Sequence, residues 1–339
     1  MTVPDVKKIA SKVQEQFGSE SMNLLPEHSE FGTVNKFISF GHWGLDKIVS
    51  GMPTGGGVPV GRLTEIFGAP SSGKSLLIAH LVANCQKQGG IAILDDTEHA
   101  YMKEFGEIVG INNDQLLYSA SETVEEVFSK MEYTLKTILS MDPNTLILYA
   151  WDSLALVSSI KELEKDLMDG KDGYNVHKAK AINEGVRKVV SLIGKYNIAM
   201  VIANQTRQNI GVMFGDKETT PGGDAVPFWA SVRLRLSRKE AIKVGSGDTT
   251  DIVGIKGEAV AKKNKISAPF KSCKYDILFD QGVMPYSGCV EMLVKDRLAS
   301  TSDKGGIVAL KGYEGTFKKS AVEKFFEANP DQIAIMYED

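Results

Sequence analysis

Residues 63–77 read LTEIFGAPSSGKSLL, and within them Gly68, four further residues, then Gly73, Lys74 and Ser75 stand at the spacing of a phosphate-binding loop between a strand and a helix. Glycines at both ends let the backbone from Gly68 through Ala69, Pro70, Ser71 and Ser72 to Gly73 curl into a hollow. The N-terminus of the following helix adds its partial positive charge to the same hollow. Lys74 is then placed to reach β and γ phosphates. The Ser75 hydroxyl is a hard oxygen suited to Mg²⁺, which holds phosphates with few protein groups. A chance match in a glycine-rich turn is the competing reading, and the apolar run before Gly68 and the helical pattern after Ser75 weigh against it.

Hydrolysis of a bound triphosphate needs a metal and a group that orients or deprotonates water. Asp152, at the end of the apolar run TLILYAW, is placed to support Mg²⁺ through its water shell, although a helix N-cap would use the same residue type. Glu98 in DDTEHA is a candidate base, and Asp96, closer to its strand, is a second. Gln205 cannot be a base. Its amide can sense a γ phosphate at the root of the next loop, or simply be a satisfied strand end.

These residues need a frame that brings them together. Apolar runs at 91–94, 145–151 and 198–203 alternate with helical patterns at 76–88, 124–139 and around 182–193. This predicts an α/β fold with a mostly parallel central sheet covered on both faces. Ligands on such sheets bind beyond the carboxyl ends of the strands, where Asp95, Asp96 and Glu98, Asp152 and Ser153, and Asn204 and Gln205 collect. Beyond residue 224 the pattern becomes alternating strands, as in SVRLRLS and YDILF. The stretch 243–258 reads as a loop or hairpin, and helical stretches are expected at 287–298 and 317–328. Val6, Ile9, Val13 and Phe17 mark a short amphipathic helix near the N-terminus, to be docked on the main domain or on another subunit. The expected division is an arm over 1–33, a core over 34–282 and a small α/β unit over 283–339.

Composition sets further bounds. With 339 residues the chain can bury a large core, and its formal net charge of −4 argues against a surface that attracts nucleic acid everywhere. Cys85, Cys273 and Cys289 show no metal-like spacing and read as reduced thiols. No apolar run spans a bilayer and no signal core opens the chain, so a cytoplasmic protein without membrane contact is expected. The oddest segment is 206–223, TRQNIGVMFGDKETTPGG, a long stretch with an apolar cluster and balanced charges. A membrane, a protein, or bases between which it inserts could each explain that cluster.

Taken together, QEQFGSESM, GAPSSGKS, DTEHA, WDSLALV, the long run ANQTRQNIGVMFGDKETTPGGDAVPFWASVRLRL and KKNKISAPFK closely resemble the RecA family of homologous-recombination proteins, in its bacterial form. The resemblance implies a RecA-like phosphate-loop core and a DNA-dependent ATPase. Such a protein polymerises as a helical filament on single-stranded DNA with ATP and Mg²⁺ and pairs that strand with homologous double-stranded DNA. It implies that Glu98 is the catalytic base, that Asp152 and Ser75 serve the metal, that Phe105 lies against adenine, and that Gln205 senses the γ phosphate. Lys263 and Lys265 match a pair that reaches the ATP of an adjacent subunit. Arg207, Ile210, Gly222 and Gly223 fall at contacting positions of a second DNA loop, with Phe214 implicated in subunit coupling, and Lys180 and Arg187 fall where basic residues meet the DNA backbone. The N-terminal arm would dock on a neighbour, and 283–339 would capture duplex.

The chain also departs from the family pattern. The first DNA loop, around 163–175, does not follow it, Asp224 stands where Asn is usual, Met102 stands where a polar adenine contact is expected, and the acidic tail is reduced to Glu338 and Asp339. A ring-forming helicase motor and a non-enzymatic single-strand coating protein are the alternatives. The match through 206–223 and KKNKIS opposes the first, and Glu98 opposes the second.

Overall fold

The computed structural model describes residues 5–18, 21–22, 24, 33–164, 174–208, 218–245, 250–302 and 306–338. The chain divides into two compact units, Met1–Lys36 and Phe37–Asp339. The first unit carries helix α1 (Val6–Phe17), whose start is capped by the Asp5 carboxylate accepting the Lys7 N–H at 3.0 Å. Val6, Ile9, Val13 and Phe17 all fall within it, as their spacing predicts.

A nine-stranded sheet organises the second unit. Its strands in chain order are β1 (Leu63–Gly68), β2 (Ile91–Asp96), β3 (Leu116–Ser119), β4 (Ile147–Asp152), β5 (Ile198–Gln205), β6 (Val232–Val244), β7 (Asp251–Asn264), β8 (Ser272–Leu278) and β9 (Gly282–Val283). Across the sheet the order is β9-β8-β7-β6-β1-β5-β4-β2-β3. The pairings from β6 to β3 are parallel, and those from β6 to β9 are antiparallel. This is the mostly parallel sheet the apolar runs call for. Its central strands are buried along their length because helices cover both faces.

Two separate apolar cores result. One face packs helix α2 (Lys74–Lys87) through Leu77, Ile78, Leu81 and Val82. The other packs α3 (Val124–Met141) and α4 (Tyr174–Lys195) through Val127, Met131, Leu135, Ile182, Val186 and Val189. The α3–α4 contact is close at Gly185, where a Cβ would lie 2.1 Å from Cδ2 of Phe128.

The stretch 243–258, expected as a loop or hairpin, belongs to a hairpin: β6 and β7 pair from Val232–Asn264 to Val244–Asp251. One expectation needs correction. In the C-terminal part, the helical stretch expected at 317–328 narrows to Val322–Ala328, preceded by a strand, Thr316–Lys318, that closes a three-stranded antiparallel sheet with Ala299–Thr301 and Ile307–Leu310. A further helix, Gln332–Glu338, follows Asn329-Pro330. Phe326, Ile333, Met336, Leu293 and Val308 form a third apolar core there, which also takes in Trp43.

Candidate nucleotide site

β1 ends at Gly68 and α2 begins at Lys74, so the loop between them stands at the carboxyl edge of the sheet. Gly73 takes φ +94, and a Cβ there would meet Cδ1 of Ile277 at 2.6 Å, so both its backbone angle and its surroundings require glycine. From below, the Tyr275 hydroxyl donates to the Ser72 carbonyl at 2.7 Å. Lys74 is buried, and its ammonium donates to the carbonyls of Gly68 and Ala69 at 3.2 and 3.0 Å. Burial lowers its pKa, while the charges of Asp152 and Glu98 work to raise it.

The sheet register sets Asp96 of β2 beside Asp152 of β4. The three acids at and just past the end of β2 have different surroundings. Asp95 is locked: it accepts the Tyr149 hydroxyl at 2.9 Å and the Ser121 N–H and hydroxyl at 3.1 and 2.9 Å. Asp96 is equally committed, taking the Glu98 and Tyr101 N–H groups at 3.2 and 2.8 Å and the Tyr118 hydroxyl at 3.1 Å. Glu98 opens on the cleft, and its Oε1 accepts from the Ser153 hydroxyl and from Nε2 of Gln205, the latter at 3.2 Å.

Asp152 is the acid most perturbed here, pushed up to about 6 by burial and by the nearby charges of Glu98 and Asp96, with the Ser75 hydroxyl bond and Lys74 opposing. Its Oδ1 is buried without a hydrogen-bond partner. An orphaned carboxylate oxygen beside a serine hydroxyl is a donor set of hard oxygens, which fits Mg²⁺.

The space above these groups has two parts that share Ser75. An open cleft of about 360 Å³ is lined by Pro70, Ser71, Gly73, Lys74, Glu98 and Gln205. A hollow of about 220 Å³ continues from Ser75 and Asp152 past Ile78 and Leu94 to Tyr101, Met102 and Phe105. The first is polar and the second apolar, an arrangement suited to a phosphate chain with a flat base at its end.

Lys263 and Lys265 lie elsewhere. Gly68 pairs with Leu236 on β6, whereas the Lys265 N–H bonds to the carbonyl of Ser231, five positions earlier and just before that strand begins. The offset is about 16 Å along the strand direction. The Lys263 ammonium donates to the carbonyls of Pro227 and Phe228 at 2.7 and 2.8 Å. The backbone of the pair is therefore displaced from the loop of its own chain, Lys263 lying opposite Arg233 and so level with Glu65, and Lys265 further still.

The base of segment 206–223 is a two-residue ladder, Arg207–Gln208 against Glu218–Thr219. Gly222 has φ +98, and a Cβ there would meet Leu154 and Ile182 at 2.8 and 2.9 Å, so the return of the segment packs tightly on β4's exit and on α4. Gly223 faces Ala179 of α4. Lys180 and Arg187 are exposed on α4. Ile210, Phe214 and the centre of the first loop, 165–173, lie outside the described residues.

Sequence reasoning missed several partners. Tyr275 and Tyr118 could have been found only by knowing which strands are neighbours, since both act across the sheet. Lys178, one turn into α4, is another: it is buried, donates to the Ala155 carbonyl at 3.1 Å, and is lowered to about 8 by burial.

The parallel sheet and the loop between β1 and α2 define a phosphate-loop α/β protein with acids at its strand ends. A family model described as the RecA N-terminal domain matches residues 5–284. Relatives called Protein RecA include those of Cereibacter sphaeroides, 34% identical over 322 residues covering 94% of this chain and 88% of the relative, and of Salinispora tropica, 32% identical over 324 residues covering 96% and 87%. That of Clostridium perfringens is 34% identical over 297 residues, covering 88% and 79%. The chain belongs to the RecA family, and with that membership come recombination, repair, ATP binding and DNA binding as its general assignment. No described helix is long and apolar enough to cross a membrane.

Proposed function

We propose that the protein is an ATP- and Mg²⁺-dependent recombinase that assembles as a helical filament on single-stranded DNA in the cytoplasm and pairs it with homologous duplex. The observation that carries this reading is the contact between Gln205 and Glu98: a cleft acid is bonded to the residue from which segment 206–223 departs.

In this reading Lys74 and the loop amides bind the phosphates. Ser75 and Asp152 would hold Mg²⁺, which supplies charge neutralisation at the β and γ oxygens when bound. Glu98 takes a proton from the attacking water: it opens on the polar cleft, whereas Asp96 already accepts three hydrogen bonds. Gln205 changes partner from Glu98 to the γ phosphate, so the base of the DNA-contacting segment responds to nucleotide state. Arg207, Ile210, Phe214, Gly222 and Gly223 belong to that segment, and Lys180 and Arg187 add backbone contacts. Phe105 packs against the base. Lys263 and Lys265, remote from their own cleft, complete the site of a neighbouring subunit. Residues 1–33 form the assembly arm and 283–339 gather the duplex.

Electron microscopy with single-stranded DNA, Mg²⁺ and a slowly hydrolysed ATP analogue, followed by strand pairing on homologous substrates, tests the reading. Helical filaments and paired products are expected. Closed rings, or coating that ignores nucleotide, would replace it with one of the alternatives.

A further inference from the structure

Asn204 precedes Gln205 on β5 but does not line the cleft. Its side chain is buried and fully used: Oδ1 accepts the Gln205 N–H at 3.0 Å, and Nδ2 donates to the Pro221 carbonyl and to Oε1 of Glu65, both at 3.1 Å. Glu65, in the middle of β1, has no exposed surface. Its other oxygen accepts from Nε of Arg233, the residue opposite it on β6. The Arg233 guanidinium lies 4.6 Å over the Phe67 ring and donates to the Thr220 hydroxyl at 3.4 Å.

One carboxamide therefore joins three pieces of chain. The first is the peptide carrying Gln205, which reaches Glu98. The second is Thr220–Pro221, where segment 206–223 returns. The third is a buried ion pair spanning β1 and β6. At the segment's other end the Thr206 N–H donates to the Gly68 carbonyl at 3.2 Å, so both ends are tied to the phosphate-loop strand or its neighbour. A buried carboxylate is tolerated only while its partners stay in place, which makes this network resist piecemeal movement.

We propose that Asn204 is a positioning residue: it converts a change in Gln205 at the cleft into a displacement of the 220–221 return, with the Glu65–Arg233 pair as the fixed point. This rests on the reading of a DNA-stimulated ATPase. Sequence position alone gives no hint of it, because Asn204 and Gln205 look equivalent as polar strand ends.

The test is steady-state ATP turnover with and without single-stranded DNA for wild type, Asn204→Ala and Thr220→Val, with nucleotide affinity and thermal unfolding measured in parallel. Thr220→Val removes only the hydroxyl that meets Arg233, keeps the shape of the side chain and guards against a variant that fails to fold. For Asn204→Ala the expected result is nucleotide affinity and basal turnover within about twofold of wild type, with stimulation by DNA reduced about tenfold; Thr220→Val should lose about threefold of stimulation. A merely structural role would lower affinity, basal rate and stimulation together, and that outcome overturns the proposal. Full stimulation in both variants overturns it as well. Absence of stimulation in the wild type would instead remove the underlying reading, and the coupling with it.

Discussion

Glu98 and Asp152 share a cleft yet are prepared for different work. Glu98 is held by two neutral donors, Ser153 and Gln205, and neither blocks its approach to water in the cleft. Replacement by Ala should cut ATP turnover by about 100-fold or more while nucleotide affinity, read by equilibrium titration, stays within about threefold. Burial and two neighbouring acids disfavour the charge of Asp152 and push its pKa up to about 6. Only the carboxylate binds a metal, so protons compete as pH falls through that value, and apparent Mg²⁺ affinity should drop about tenfold for each further pH unit. Titration of Mg²⁺ with a bound fluorescent nucleotide checks this, and in Asp152→Asn the steep fall should be absent. The identities of these groups were legible in the sequence because each follows an apolar strand. Their assignment was not: Asp96 and Glu98 are distinguished only by Tyr101, Tyr118, Ser153 and Gln205, three of which come from other strands or their exits.

At the scale of elements, strands buried on both faces announced themselves as unbroken apolar runs, and α3 and α4 by their helical spacing. Between loop and hairpin the sequence left the choice open where a strand carries glycines. Residues 251–258 of β7 carry Gly254 and Gly257 inside a strand, and those glycines are there because Cβ atoms would strike the Ile277 carbonyl at 2.1 Å and the Tyr275 ring at 2.2 Å. Close approach of a neighbouring strand leaves the same sequence mark as a turn. The small strands at 299–301, 307–310 and 316–318 are too short to show a period. Gly185 gives a test of helix packing. Helix propensity alone favours Ala there by about 1 kcal/mol, but a methyl group in contact with the Phe128 ring costs about 1–3 kcal/mol or more. Gly185→Ala should therefore lower the free energy of unfolding by about 1–2 kcal/mol in urea titration.

For the whole molecule, the decisive fact is the separation of Lys263 and Lys265 from the loop that holds Lys74. In the proposed reading these lysines serve the nucleotide of another copy, and the complete site is then one shared between copies joined head to tail. Complementation follows from that geometry. Lys74→Ala and the double variant Lys263→Ala, Lys265→Ala should each be nearly inactive alone. Mixed in equal amounts on single-stranded DNA, about one interface in four joins an intact cleft to intact lysines, and ATP turnover should recover to roughly a quarter of wild type. An alternative in which each chain works alone predicts no recovery.

The central claim is that the cleft at the end of β1 and the segment leaving β5 form one switch. ATP turnover by the purified chain with Mg²⁺, measured before and after addition of single-stranded DNA, tests it most directly. A rise of about tenfold or more on addition is expected. Equal rates with and without DNA would contradict it.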